Sequence, residues 1–111
     1  RRVFRRAPER AASPWRLKVL GRHIELLGKG SLALSDKEFG FLHLLAQSLT
    51  PVPRESLLIG LGEPNDLAAA HRLDVLAYRL RKKVRTAWEV ELPLRSSYGG
   101  GFGLMELFEL I

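Results

Sequence analysis

From Trp15 onward the apolar positions first fall at alternate residues. Trp15, Leu17 and Val19, then Ile24 and Leu26, then Leu32 and Leu34 form three short runs broken by Gly21, Gly28 and Gly30. Alternation punctuated by glycine predicts a small antiparallel sheet of three strands. The period then changes. Phe39, Leu42, Leu45, Ala46 and Leu49 recur at spacings of three and four, which predicts a helix with one buried stripe lasting until Pro51. Its start is marked by "SDKE", Ser35 to Glu38. In this capping box the Ser35 hydroxyl accepts from the Glu38 amide and the Glu38 carboxylate accepts from the Ser35 amide.

Leu57, Leu58 and Leu61 behind Pro53 predict a short second helix, closed by Gly60 and Gly62. A third and longest pattern covers about 66–87, with Asp66 or Asn65 as its cap and Pro93 beyond its end. The final "VELPLRSSYGGGFGLMELFELI" predicts two strands around a glycine-rich turn, with alternation clearest at Phe102, Leu104 and Phe108. Residues 1–14, "RRVFRRAPERAASP", lack apolar periodicity and read as a flexible basic arm or linker, leaving 15–111 as one domain. The class is α+β.

The third helix is the informative element. At about 100° per residue from Arg72, the residues Leu73, Leu76, Ala77, Leu80 and Val84 fall within roughly 40° to 140°, which predicts the core face. Asp74, Val75, Tyr78, Arg79, Lys82 and Arg85 lie opposite, with Arg72 and Lys83 flanking. One side packs, and the other offers cations interleaved with Val and Tyr. An α-helix fits the major groove of B-form DNA, Arg can grip guanine edges, Val can meet a thymine methyl, and Lys or Arg at the groove walls can neutralise phosphates. A solvated basic face is the plainer alternative for such a helix taken alone.

Charge placement favours the first reading. The chain has a net charge of +6 over 111 residues, but residues 1–18 carry +6, residues 71–85 carry +5, and everything else carries −5. Positive charge so concentrated points to a polyanion, and the acidic remainder would repel it from the other faces. With no cysteine, disulfides and thiolate metal sites are excluded, and a reducing, cytoplasmic setting is expected. No apolar run approaches the roughly 20 residues that cross a bilayer. The opening at Arg1, with no Met, is the expectation for a piece of a longer protein.

A short helix leading into a longer cationic one, followed by a glycine-rich hairpin, is a helix-turn-helix with a wing. The blocks "LSDKEFGFLHLLAQ", "PVPRESLL", "HRLDVLAYRLRKKV" and "SSYGGGF" resemble, in order, the OmpR/PhoB-type winged-helix output domain of bacterial response regulators, over about Trp15 to Leu104. That resemblance implies a winged helix-turn-helix with a four-stranded N-terminal antiparallel sheet, three helices and a C-terminal β-hairpin wing near 95–103. It implies sequence-specific binding of double-stranded DNA in transcription control within a two-component system. Dimers on direct repeats and contact with RNA polymerase through the loop at 60–70 are implied as well. Carried over position by position, Val75 and Arg79 read bases and Arg72, Tyr78 and Lys82 stand at flanking contacts, and Arg72, Lys82 and Lys83 are expected to hold phosphates. Arg81 matches the family's Arg, and on the helical wheel it stands between a DNA contact and a salt link to Asp74. Arg54 stands between a phosphate contact and a structural ion pair. Leu76 replaces a polar contact residue, Tyr98 replaces the wing's usual cation, and "GGG" replaces a more varied turn, so Arg95 is left as the wing's cation. These departures define the alternative function, a winged-helix protein-interaction module that has lost specific DNA binding.

Other chemistry is not indicated. His23, His43 and His71 lack ligand spacing, with His43 expected partly buried and the other two exposed, so no metal or cofactor is expected. "YGGGFG" lacks the order of a phosphate-binding loop and precedes no helix. No nucleophile-base-acid set is evident, so an enzyme is not expected. Trp15, Phe39 and Phe41 are read as core.

Overall fold

The computed structural model describes residues 13–97 and 99–111. The order is β1 (Trp15–Lys18), β2 (His23–Leu26), β3 (Gly30–Ala33), α1 (Asp36–Ala46), α2 (Arg54–Gly60), α3 (Leu67–Trp88), β4 (Leu94–Ser96), β5 (Phe102–Leu104) and β6 (Glu109–Leu110). The three runs read from alternation are β1 to β3, paired antiparallel with Trp15 opposite Leu26 and Ile24 opposite Leu32. Period two sends Trp15, Leu17, Ile24 and Leu26 inward, and all four are buried.

Among the described residues the sheet's fourth strand comes from the C-terminal segment. It is β6, which lies parallel to β1 in the order β3-β2-β1-β6. The sheet is four-stranded, as the resemblance implies, with its fourth strand supplied from the far end of the chain, and this corrects the reading of the last 22 residues as two strands. Leu17 and Val19 exchange backbone bonds with Ile111, and Arg16 pairs with Glu109 at 3.1 Å. A two-residue parallel strand has too little alternation to be read from sequence. Phe108, just before it, stacks on Trp15 at 5.3 Å, and Trp15 meets Trp88 at 6.2 Å, so an aromatic cluster seats the sheet against the end of α3.

The capping box forms as expected. Ser35 Oγ accepts from the Glu38 amide at 3.1 Å, and Glu38 Oε1 accepts from the Ser35 amide at 2.9 Å. Phe41, Leu42 and Leu45 are buried, and Phe39 is half-buried, stacked on the half-buried His43 at 5.2 Å. Leu49 does not continue the stripe. The helix ends at Ala46, and Leu49 stands exposed in the following turn. His23, expected exposed, is half-buried beside Glu25 at 3.5 Å.

In α3, Asp66 is the cap, accepting from the Ala69 amide at 2.8 Å. The buried residues Ala69, Leu73, Ala77, Leu80, Val84 and Trp88 recur every three or four positions and seat the helix against α1 and α2. Leu76 is only partly buried at the margin of this face. Glu89, in the left-handed region at φ 57°, ends the helix.

Candidate nucleic-acid interface

The exposed side of α3 presents Asp74, Tyr78, Arg79, Lys82 and Arg85, with Val75 half-buried among them. A helix of 22 residues is about 33 Å long, enough to lie across a major groove with its cap and tail outside. The cations on and beside it divide by whether the fold already engages them.

Arg72 Nη2 donates to Glu63 Oε1 at 2.7 Å. Arg54 Nη2, from the start of α2, donates to Asp74 Oδ1 at 2.8 Å. Arg81 Nη2 donates to the Leu94 carbonyl at 3.1 Å, tying α3 to β4. Lys83 Nζ donates to Glu38 Oε1 at 2.7 Å and to the Ala33 carbonyl at 2.9 Å, joining α3 to the head of α1 and the end of β3. Arg85 meets Glu91 through two bonds of 3.0 Å each. Arg79, Lys82 and Arg95 are exposed and have no hydrogen-bond or ion-pair partner among the described residues.

Two open alternatives acquire a geometry. Asp74 is bonded to Arg54, so the salt link considered between Asp74 and Arg81 does not form. Seven residues along a helix are about 10.5 Å apart, and Arg54 reaches Asp74 from a neighbouring helix instead. Tyr98 lies outside the described residues, as do residues 1–12 of the basic arm. Ser13 and Pro14, the last two residues assigned to that arm, bond to the Leu107 carbonyl and the Leu27 amide respectively.

The wing is β4 and β5, paired antiparallel with Arg95 opposite Gly103. It is held firmly at its base. Val52 and Phe102 exchange two backbone bonds of 2.8 and 3.1 Å, and Phe102 meets Phe41 edge-on at 5.3 Å in the core. The turn closes with the Ser97 amide donating to the Gly101 carbonyl at 2.8 Å, and Gly99 and Gly100 take positive φ.

Two acids that sequence reasoning passed over as partners shape this surface. Burial pushes the Glu38 carboxyl up, but the bonds from Lys83 and the Ser35 amide outweigh it and hold it below its ordinary value. Glu63 is held at about 2 by bonds from Lys37 and Arg72. A lowered carboxyl stabilises the fold above its ordinary pKa of 4.5 and loses that contribution as pH falls below it. Glu38→Gln keeps an acceptor oxygen but removes the charge. It is expected to cost about 1–2 kcal/mol at neutral pH and to flatten the decline in stability below about pH 4.5, read by thermal melting across pH.

Solved structures of the same fold carry this architecture. The DNA-binding domain of Bacillus subtilis CssR is 27% identical over 82% of this chain and 99% of its own, with a TM-score of 0.64. The Klebsiella pneumoniae RstA DNA-binding domain in complex with RstA box is 24% identical over 82% of this chain and 90% of its own, with a TM-score of 0.66. A redox sensor of the streptococci, from a family evolved from two-component response regulators, is 22% identical over 96% of this chain with a TM-score of 0.66. This chain spans 42% of that protein's length. No protein-family model and no curated protein sequence matches the chain. The architecture is a winged helix-turn-helix, with a sheet, three helices and a C-terminal hairpin. The DNA-binding domains of CssR and RstA among these neighbours agree with the resemblance to OmpR/PhoB-type response-regulator output domains carried by the sequence blocks. Among the described residues, no helix is long and apolar enough to cross a membrane.

Proposed function

We propose that the chain is a sequence-specific double-stranded DNA-binding domain of a cytoplasmic bacterial transcription regulator. In this reading α3 lies in the major groove and the β4–β5 wing lies beside the adjacent minor groove. The observation that carries it is the sorting of charge on α3. Arg79 and Lys82 stand exposed beside Val75 and Tyr78 without internal counterions among the described residues, whereas Arg81, Lys83 and Arg85 are engaged within the fold. Arg79 and Val75 read bases, Tyr78 and Lys82 hold flanking contacts, and Arg95 supplies the wing's cation. Arg54, Arg81 and Lys83 position these groups by fixing α3 against α2, the wing and α1. The DNA-binding role of CssR and the RstA complex with its box support the reading. Ile59, just before the 60–70 segment, and Leu67, within it at the start of α3, are both exposed and suit that segment to a protein contact, and RNA polymerase is the proposed partner. Assembly as dimers on direct repeats completes the proposal.

Titration of the chain with duplex at several salt concentrations tests it. With Arg79, Lys82 and Arg95 each neutralising a phosphate or entering a groove, log K is expected to fall against log salt with a slope of roughly −3 or steeper. Selection from a random duplex pool is expected to return one preferred sequence, in repeated copies if dimers form. A flat salt response with tight binding to an acidic protein would favour the interaction module instead.

A further inference from the structure

We infer that Glu63 is an internal counter-anion that a DNA phosphate displaces, so that this loop carboxylate sets how strongly Arg72 contributes to duplex binding. The inference rests on the DNA-binding reading and adds a residue to it that opposes binding.

Glu63 lies in the connection between α2 and α3, fixed by its amide bond to the Leu58 carbonyl at 2.8 Å. Its two oxygens hold two different cations. Oε1 accepts from Arg72 Nη2 at 2.7 Å and Oε2 accepts from Lys37 Nζ at 2.8 Å, while Lys37 also donates to the Leu61 carbonyl at 3.0 Å. The carboxylate is tucked in at 20% side-chain exposure, whereas Lys37 and Arg72 are more than half exposed. Two cations bridged by the two oxygens of one anion is also the arrangement that the free oxygens of a phosphodiester would take. Arg72 and Glu63 line one groove of about 480 Å³ with Val75 and Arg79, so the pair sits at the margin of the base-reading face.

The physical consequence is competition. At neutral pH Glu63 is fully ionised, since Lys37 and Arg72 hold its carboxyl at about 2. A phosphate approaching Arg72 therefore meets a standing ion pair and must exchange with it. Forming the new contact leaves Glu63 facing the DNA backbone with Lys37 alone, so part of the attraction is offset by repulsion.

The test compares Glu63→Gln, Arg72→Gln and the double variant in the full 111-residue chain, using fluorescence anisotropy on a random-sequence duplex and a selected site across a salt series. Glu63→Gln is expected to tighten binding by roughly two- to fivefold and to steepen the salt slope by up to about one unit, because Arg72 becomes free to neutralise a phosphate. In the Arg72→Gln background at least half of that gain is expected to vanish, leaving what Lys37 alone provides. A Glu63→Gln variant that binds duplex no better than the unaltered chain would overturn the inference. So would an equal gain in both backgrounds, which would report net charge and not this pair. A purely structural role for Glu63 would lower the melting midpoint and weaken binding together, the opposite sign. If the unaltered chain binds no duplex, the DNA reading itself fails before any variant is compared.

Discussion

Arg79→Ala is expected to lower affinity for the selected DNA site by about 1–3 kcal/mol while leaving random-duplex binding nearly unchanged apart from one lost charge. The expectation comes from where the side chain stands. Arg79 is on the exposed face of α3, three and four positions from Lys82 and Val75, and no acid among the described residues holds it. A guanidinium with no internal partner can place two donors on a guanine edge without first breaking a bond in the protein. Lys82, equally exposed, is a compact charge better matched to phosphate. Lys82→Ala is therefore expected to weaken all sequences alike and flatten the salt slope, so the pair separates base reading from backbone holding in one assay. Neither change touches the core, so melting temperatures are expected to move little. Equal, sequence-independent losses at both positions would reject the assignment.

Gly101→Ala is expected to destabilise the domain by about 1–3 kcal/mol and to unseat the wing. A Cβ on Gly101 would lie 2.3 Å from the Val52 carbonyl oxygen and 3.0 Å from its carbon, both backbone atoms that cannot swing aside. Relief requires parting the two bonds between Val52 and Phe102, the same contacts that hold β5 to the segment before α2. Gly103 is milder, with its nearest neighbours in Pro51 at 3.3 Å. Thermal melting would report the loss of stability. DNA titration would report a fall in affinity even though every residue of α3 is unchanged, because Arg95 would no longer be presented at a fixed distance from Arg79. Unaltered melting and unaltered affinity would show that the wing base yields freely.

The same glycine illustrates what local pattern can and cannot disclose. "GGG" is legible as a turn, since Gly99 and Gly100 do adopt positive φ. That the third glycine is a packing requirement depends on Val52, almost fifty residues earlier, and no local pattern records it. Likewise Ser35 and Glu38 announce a helix start because both partners lie within one turn. The Lys83 bond to Glu38 spans 45 residues and is visible only after α1 and α3 have packed. The core stripe of α3 is readable because period and burial coincide from Leu73 to Val84. The partners of its cations are not, because Arg72, Arg81 and Lys83 each bond to a different segment, chosen by tertiary approach and not by spacing.

The pairing of β6 with β1 has a consequence for how the chain reaches this state. Leu17 lies beside Leu110, so the sheet joins residues more than ninety positions apart. Closing so long a loop carries a large entropic cost before its contacts repay it, and such non-local pairings slow folding. During synthesis β1 to β3 emerge early, yet one edge of β1 stays unsatisfied until Glu109 and Leu110 have cleared the ribosome. Until then that bare edge is the part of the nascent domain most open to pairing with the wrong strand.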